Sequence, residues 1–207
     1  MIQIDKNEIY ESHGYRFKNF VTLTLEEKLM ILEWRNHEKV RSVMVNKEII
    51  QKDDHLRFID ILKDRNDCFY WLVLDFDNNP LGVLDIIHVD AVKDVGEIGF
   101  YLNPNKTGSG LRFVVECEFF IYNTIQLGNN MSTVDINNRD VLMLNTFLGR
   151  TYEGVKRIGD RLFYYNNHST GQFIIDNYEQ FTLKNYVAFA KAHKNIVNEL
   201  KGKHYVN

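Results

Sequence analysis

The segment Asn105-Lys106-Thr107-Gly108-Ser109-Gly110 places two glycines just ahead of an apolar, helix-like run that begins at Leu111. A helix starting there leaves backbone N–H groups uncovered and turns the positive end of its dipole outward, an arrangement that attracts phosphate. Glycine also marks turns freely, so the loop taken alone reads equally well as a plain helix start. It has no Gly-Lys-Ser/Thr ending and lacks the third glycine of the dinucleotide fingerprint. Asp85 stands among Leu, Ile and Val, and Glu97 is flanked by Gly96, Ile98 and Gly99. A carboxylate in such a strand either faces outward or is costly unless it is paired or lines a cavity. No His or Cys cluster has metal-ligand spacing, so no metal is expected. No Gly-x-Ser-x-Gly elbow supports a serine hydrolase.

The elements that must position these groups follow from periodicity. A first strand is predicted over 15–23. Thr24-Leu25-Glu26-Glu27 is a capping box, and Leu25, Leu29 and Leu32 recur at helical spacing, so a helix should run to about His37. Asp53-Asp54 opens a second helix carrying Leu56, Ile59 and Leu62, with 41–52 irregular before it. Runs 69–76 and 81–89, joined by Asp-Asn-Asn-Pro, read as a hairpin, followed by a strand over Val95–Leu102. A helix over 111–126, a short strand over 131–136 and a helix over 139–148 come next. Segments 152–166 and 171–178 alternate as a terminal hairpin over Asn-His-Ser-Thr, and a last amphipathic helix spans 182–200. The expected architecture is a mixed α/β (α+β) fold with helices on both faces of a sheet and an extra C-terminal helix.

With 207 residues, 44% of them hydrophobic and 26% charged, the chain has the composition of an ordinary globular domain. Its net charge of −3 gives no support for a nucleic-acid or anionic-membrane partner, although local basic patches remain open. No apolar stretch approaches the roughly 20 residues needed to span a bilayer. The polar N-terminus has no signal-peptide pattern, and a cytoplasmic location is the expectation. Cys68 and Cys117 accordingly read as buried thiols, and the Asn-x-Ser/Thr triplets at Asn105, Asn130 and Asn167 as coincidence.

The series of strand, Gly-x-Gly loop, helix, short strand, Asn, helix and terminal hairpin resembles the GNAT acetyltransferases. The resemblance implies their fold, with a central, twisted, mostly antiparallel sheet, and acetyl-coenzyme A as cosubstrate. The loop Asn105-Lys106-Thr107-Gly108-Ser109-Gly110 with Leu111 would hold its pyrophosphate, although Asn105 departs from the family's Gln or Arg. Phe100-Tyr101-Leu102 end the strand that would pair with the pantetheine arm, and Asn138 matches a cofactor-side Asn. Glu33-Trp34-Arg35-Asn36-His37, Met44, His55-Leu56-Arg57-Phe58-Ile59, Gly82-Val83-Leu84-Asp85 and Glu97-x-Gly99-x-Tyr101 are further similar to a sugar-modifying subgroup. Its members acetylate the 4-amino group of a UDP-linked dideoxy amino sugar in the pseudaminic-acid pathway. The similarity covers about 23–178, so residues 1–181 read as the acetyltransferase domain and 182–207 as a helical extension packed on it.

What the resemblance implies for single residues can be set beside plainer readings. Arg35 and His55 would contact the nucleotide-sugar, where an Arg fork suits a diphosphate; otherwise Arg35 completes a helix C-terminus. Met44 would line the nucleotide or sugar pocket, or simply pack. Glu97 is expected to be the base that takes the substrate ammonium's proton, with Asp85 binding substrate and assisting. The family's tyrosine acid is replaced by Asn145, which would contact the cofactor, and Tyr152 or water would stand in for that acid. The implied partner is a small molecule, a UDP-linked amino sugar, and the C-terminal helix could cap the sheet or join two subunits as a homodimer. Acetylation of a protein N-terminus or of another small amine stays open, as does a catalytically weak coenzyme A sensor.

Overall fold

The computed structural model describes residues 4–106, 108, 110–166 and 170–204. Its strands are β1 (Ile9–Ser12), β2 (Tyr15–Asn19), β3 (Phe69–Leu74), β4 (Pro80–Asp90), β5 (Val95–Leu102), β6 (Asn129–Asp135), β7 (Gly154–Ile158) and β8 (Arg161–Asn166). They form one sheet in the order β1-β2-β3-β4-β5-β6-β8-β7. Every pairing is antiparallel except that of β5 with β6. The helices are α1 (Leu25–Asn36), α2 (Glu38–Arg41), α3 (Lys52–Ile61), α4 (Gly110–Phe119), α5 (Arg139–Phe147), α6 (Gly171–Asp176), α7 (Leu183–Ala192) and α8 (Ile196–His204). No helix among the described residues is long and apolar enough to cross a membrane.

The mixed sheet places two layers of helix on opposite faces, as expected. On one face Trp34 of α1 and Ile59 of α3 pack with Leu72 and Val83. On the other, Phe113 of α4 and Phe120 beyond it pack with Trp71, Leu84, Ile86 and Ile98. A third cluster joins Val134 of β6, Leu142 of α5 and Tyr164 of β8 to Ile196 and Leu200 of α8.

The parallel pair is the feature that makes a site. β5 and β6 are in register only where Val95, Gly96 and Glu97 face Asn129, Asn130 and Met131. Beyond those residues the two strands run on to Leu102 and Asp135 without pairing to each other. At the fork the side-chain oxygen of Asn130, fully buried, accepts from the Ile98 N–H at 3.1 Å. That bond satisfies the first backbone donor released by the split, which would otherwise be costly to bury.

Local signals hold where the chemistry is local. Thr24 Oγ1 accepts from the Glu27 N–H at 3.2 Å while the Glu27 carboxylate accepts from the Thr24 N–H at 2.7 Å, so α1 begins at the predicted box. Other expectations need correction. The first strand stops at Asn19, whose side chain caps a 3-10 turn over Phe20–Thr22, and β1 precedes it. The last hairpin lies wholly within 152–166, turning at Gly159 with φ +61, a conformation suited to glycine. Residues 171–176, expected as its second strand, are helix α6, closed by a Gln172–Asp176 hydrogen bond of 2.7 Å. The tail is two helices, because the backbone leaves helical geometry at His193. The helix after the glycine loop passes at Phe120–Thr124 into a π-helix.

Candidate active site

One cavity of about 650 Å³ occupies the split between β5 and β6. Directly paired residues on neighbouring strands share a face. Asp85 lies opposite Gly99 and Ile87 opposite Glu97, so both carboxylates face the α1/α3 side. Ser132 and Val134 alternate with Thr133 along β6 and face the α5 side. Asp85, Glu97, Arg35 and His55 line the cavity together with Ser132, Asn145 and Arg150, so it passes through the sheet from one face to the other.

The two carboxylates are in unlike settings. Glu97 accepts from Thr133 Oγ1 at 2.8 Å and lies 3.3 Å from His88 Nδ1, which sits at the bulge in β4. Asp85 is set deeper, beside Tyr70 and Tyr101. Burial, aided by the neighbouring Glu97 charge, pushes the Asp85 carboxyl up to about 7. Gly99 makes room for it, since a Cβ there would fall 2.7 Å from Asp85 Oδ1. Gly99→Ala is therefore expected to displace the carboxylate. Turnover should drop by about 10²-fold, the loss that a misplacement of about 1 Å can cause. Steady-state kinetics beside a thermal melt would separate this from unfolding.

Arg35, at the end of α1, donates from Nη2 to the Asn46 carbonyl at 2.8 Å, while its buried Nη1 has no partner. No carboxylate pairs with it among the described residues. Burial lowers its pKa, yet a guanidinium stays charged at any ordinary pH. His55, buried, has Nε2 2.9 Å from the Lys28 carbonyl, and burial holds its pKa below the usual imidazole value, so the ring is neutral. Met44 lines the cavity from the stretch between α2 and α3, and its carbonyl accepts from Arg161 at 3.2 Å.

The described residues of the glycine loop, Asn105, Lys106, Gly108 and Gly110, follow β5 and are not among those that line the cavity. Asn105 donates its N–H to Asn103 Oδ1 at 3.0 Å, Lys106 is exposed, and Gly108 has φ +79 with open space where a Cβ would be. Thr107 and Ser109 lie outside the described residues. Gly110 opens α4, with Leu102 Cδ1 3.4 Å from the position of its would-be Cβ, and Leu111 packs on the core. The first N–H groups of α4 have no acceptor within the helix, the setting a phosphate requires.

Three residues near α5 sit differently from one another. Asn138 caps α5 by accepting from the Val141 N–H at 3.4 Å and also lines the cavity. Asn145, 4% exposed, lines it with its side-chain oxygen unpartnered. Tyr152 does not line it; burial pushes its hydroxyl up to about 12, and Asn145 is the side chain against it. The expectation that Tyr152 donates a proton directly at the site is thus corrected. Sequence reasoning also missed Thr133, Arg150 and Glu118 as neighbours of the site. Nothing in their local pattern marks them, because each partner is more than thirty residues away.

No family model matches the chain. Acetyltransferase PseH of Campylobacter jejuni subsp. jejuni (strain 81-176) is 30% identical over 129 residues, which is 62% of this chain and 80% of that protein. The same enzyme from strain NCTC 11168 is 29% identical over the same shares. The crystal structure of C. jejuni N-acetyltransferase PseH in complex with acetyl-coenzyme A superposes with TM-score 0.58 at 23% identity, over 75% of this chain and 99% of that one. A spermidine N-acetyltransferase from Vibrio cholerae, in complex with CoA and spermine, reaches TM-score 0.66 at 14% identity, over 78% and 99%.

Proposed function

The chain belongs to the GNAT N-acetyltransferases and resembles PseH, and from that premise we propose that it transfers acetyl from acetyl-coenzyme A to the amine of a nucleotide-linked amino sugar. Acetyl-coenzyme A supplies the activated acyl group as a thioester. The residues present fit it: the unpaired edges of β5 and β6 offer amides to an extended arm, and the start of α4 offers N–H groups to its diphosphate. Gly108, Gly110, Leu111 and Leu102 belong to that holding surface, with Asn105, Lys106, Thr107 and Ser109 as its proposed loop members.

The acceptor enters from the α1/α3 face. Asp85 takes the proton from its ammonium, because a carboxyl near 7 is matched to base duty at neutral pH. Glu97, held by Thr133, orients the amine. This exchanges the base role expected of Glu97 for an orienting one, since two polar partners already engage its carboxylate.

The observation that carries the acceptor class is Arg35. A guanidinium on the cavity wall with no carboxylate partner among the described residues suits a diphosphate and repels a polyammonium chain, which favours a nucleotide-sugar over a spermidine-like amine. His55 and Met44 complete that side of the cavity. Thiol release would be followed with acetyl-coenzyme A and three acceptor types: UDP-4-amino sugars, N-terminal peptides and spermidine. The sugar should exceed the others in kcat/KM by about 10²-fold or more, the scale set by a lost charged partner. Equal or faster release with spermidine would overturn the assignment.

A further inference from the structure

Behind the split lies a charged pair that the chemistry above leaves unused. Arg150 follows α5 and is 3% exposed, yet it lines the cavity. Its backbone N–H donates to the Asn145 carbonyl at 2.9 Å, so the two residues share one end of the helix. One guanidinium nitrogen pairs with Glu118 on α4, which is fully buried. Arg150 Nε and Glu118 Oε2 have no hydrogen-bond partner, although both are buried. A buried pair of this kind is a poor source of stability, since apolar residues of similar size usually serve as well. The other groups around Arg150 are the phenols Tyr122 and Tyr152, held neutral by burial. Burial opposes the Arg150 charge, but Glu118 outweighs it, so the guanidinium stays protonated.

Its place in the sheet suggests its use. The carboxylates occupy the α1/α3 side of the cavity, whereas Arg150 and Asn145 occupy the α5 side. An amine on the first side and a leaving group on the second is the geometry that an attack through the split requires. Asn145 has no proton to give, and the Tyr152 hydroxyl does not reach the cavity. We infer that Arg150 is a catalytic cation, positioned by Glu118, that stabilises negative charge on the sulfur leaving the acetyl group. This rests on the acetyl-coenzyme A reading. The amine nitrogen bonds to the acetyl carbon, and the carbon–sulfur bond breaks with its electron pair on sulfur. The ammonium proton goes to Asp85, the second proton that the nitrogen sheds on forming the amide goes to water, and the thiolate departs paired with Arg150 and takes a proton from water. A thiol beside a cation in a dry site is acidified, and charge stabilisation there is worth more than in water.

The test uses Arg150→Met, Arg150→Lys and the double variant Glu118→Met/Arg150→Met, which removes both charges and should keep its melting temperature within a few degrees. The thiol of bound coenzyme A is titrated by thiolate absorbance, and coenzyme A affinity is compared with that of its desulfo analogue across pH. In the unaltered protein the bound thiol should titrate about one unit or more below its usual 8.5. In both Met variants that shift should vanish and kcat fall by roughly 10²-fold, while Arg150→Lys recovers part of each. An unshifted thiol in the unaltered protein, or a folded double variant with unchanged kcat, sinks the role of Arg150 alone. Failure of coenzyme A to bind at all sinks the donor reading with it.

Discussion

Asp85→Asn is expected to lower kcat/KM for acetyl transfer by about 10²- to 10⁴-fold, the range of a lost general base, and to abolish the acidic limb of the pH profile. The limb has a defined sign. Asp85 must be ionised to accept a proton, and its carboxyl is raised to about 7, so activity should climb as pH rises through that value. Glu97→Gln is expected to cost less and to leave the limb in place, because that carboxylate is engaged by Thr133 and His88. If the limb survives in Asp85→Asn and disappears in Glu97→Gln, the two roles are the reverse of those assigned. Stability supplies a second readout of the same group. A carboxyl with a raised folded pKa binds its proton more tightly when folded, so stability declines as pH rises from about 4 toward about 7. At pH 8 the Asn variant should therefore melt higher than the unaltered protein, by an amount that shrinks on acidification. Gain of stability with loss of turnover would mark Asp85 as a residue kept for chemistry.

What could be read in the sequence was whatever a short stretch decides alone. Thr24 and Glu27 sit three residues apart and close their own cap, and the run Val95–Leu102 forms the strand with those same limits. The start of α4 at Gly110 follows for the same reason. Residues 171–176 misled because Phe173, Ile174 and Ile175 suit either period, and the close approach of Gly171 to Tyr122, almost fifty residues away, is invisible in the local pattern. The assignment of base between Asp85 and Glu97 was out of reach in a similar way. It depends on Gly99 lying opposite Asp85 and on Thr133 reaching Glu97 from the next strand, both matters of register. Arg150 lies beyond the end of α5 and Glu118 lies on α4, and only packing brings their charges together.

Arg35→Met is expected to raise KM for the nucleotide-sugar by about 10- to 10²-fold, since a hydrogen bond to a charged group contributes about 1.5–3 kcal/mol. The value of kcat at saturation should change by less than about threefold, because the group binds the part of the acceptor remote from the reacting amine. Arg35 is held by the Asn46 carbonyl through Nη2, which leaves the buried Nη1 facing no acceptor of its own. Holding that cation without a counter-charge costs the free protein, so the Met variant should also melt higher in the absence of ligand. Inorganic diphosphate gives an assay independent of turnover. It should raise the melting temperature of the unaltered protein in a concentration-dependent way and leave Arg35→Met unmoved. Equal protection of both would place the anion elsewhere, with the N–H groups at the start of α4 as the alternative seat. A variant defective in kcat but not in KM would instead make Arg35 a support for the stretch that carries Met44 along the cavity wall, and the nucleotide-sugar reading would lose its chief support.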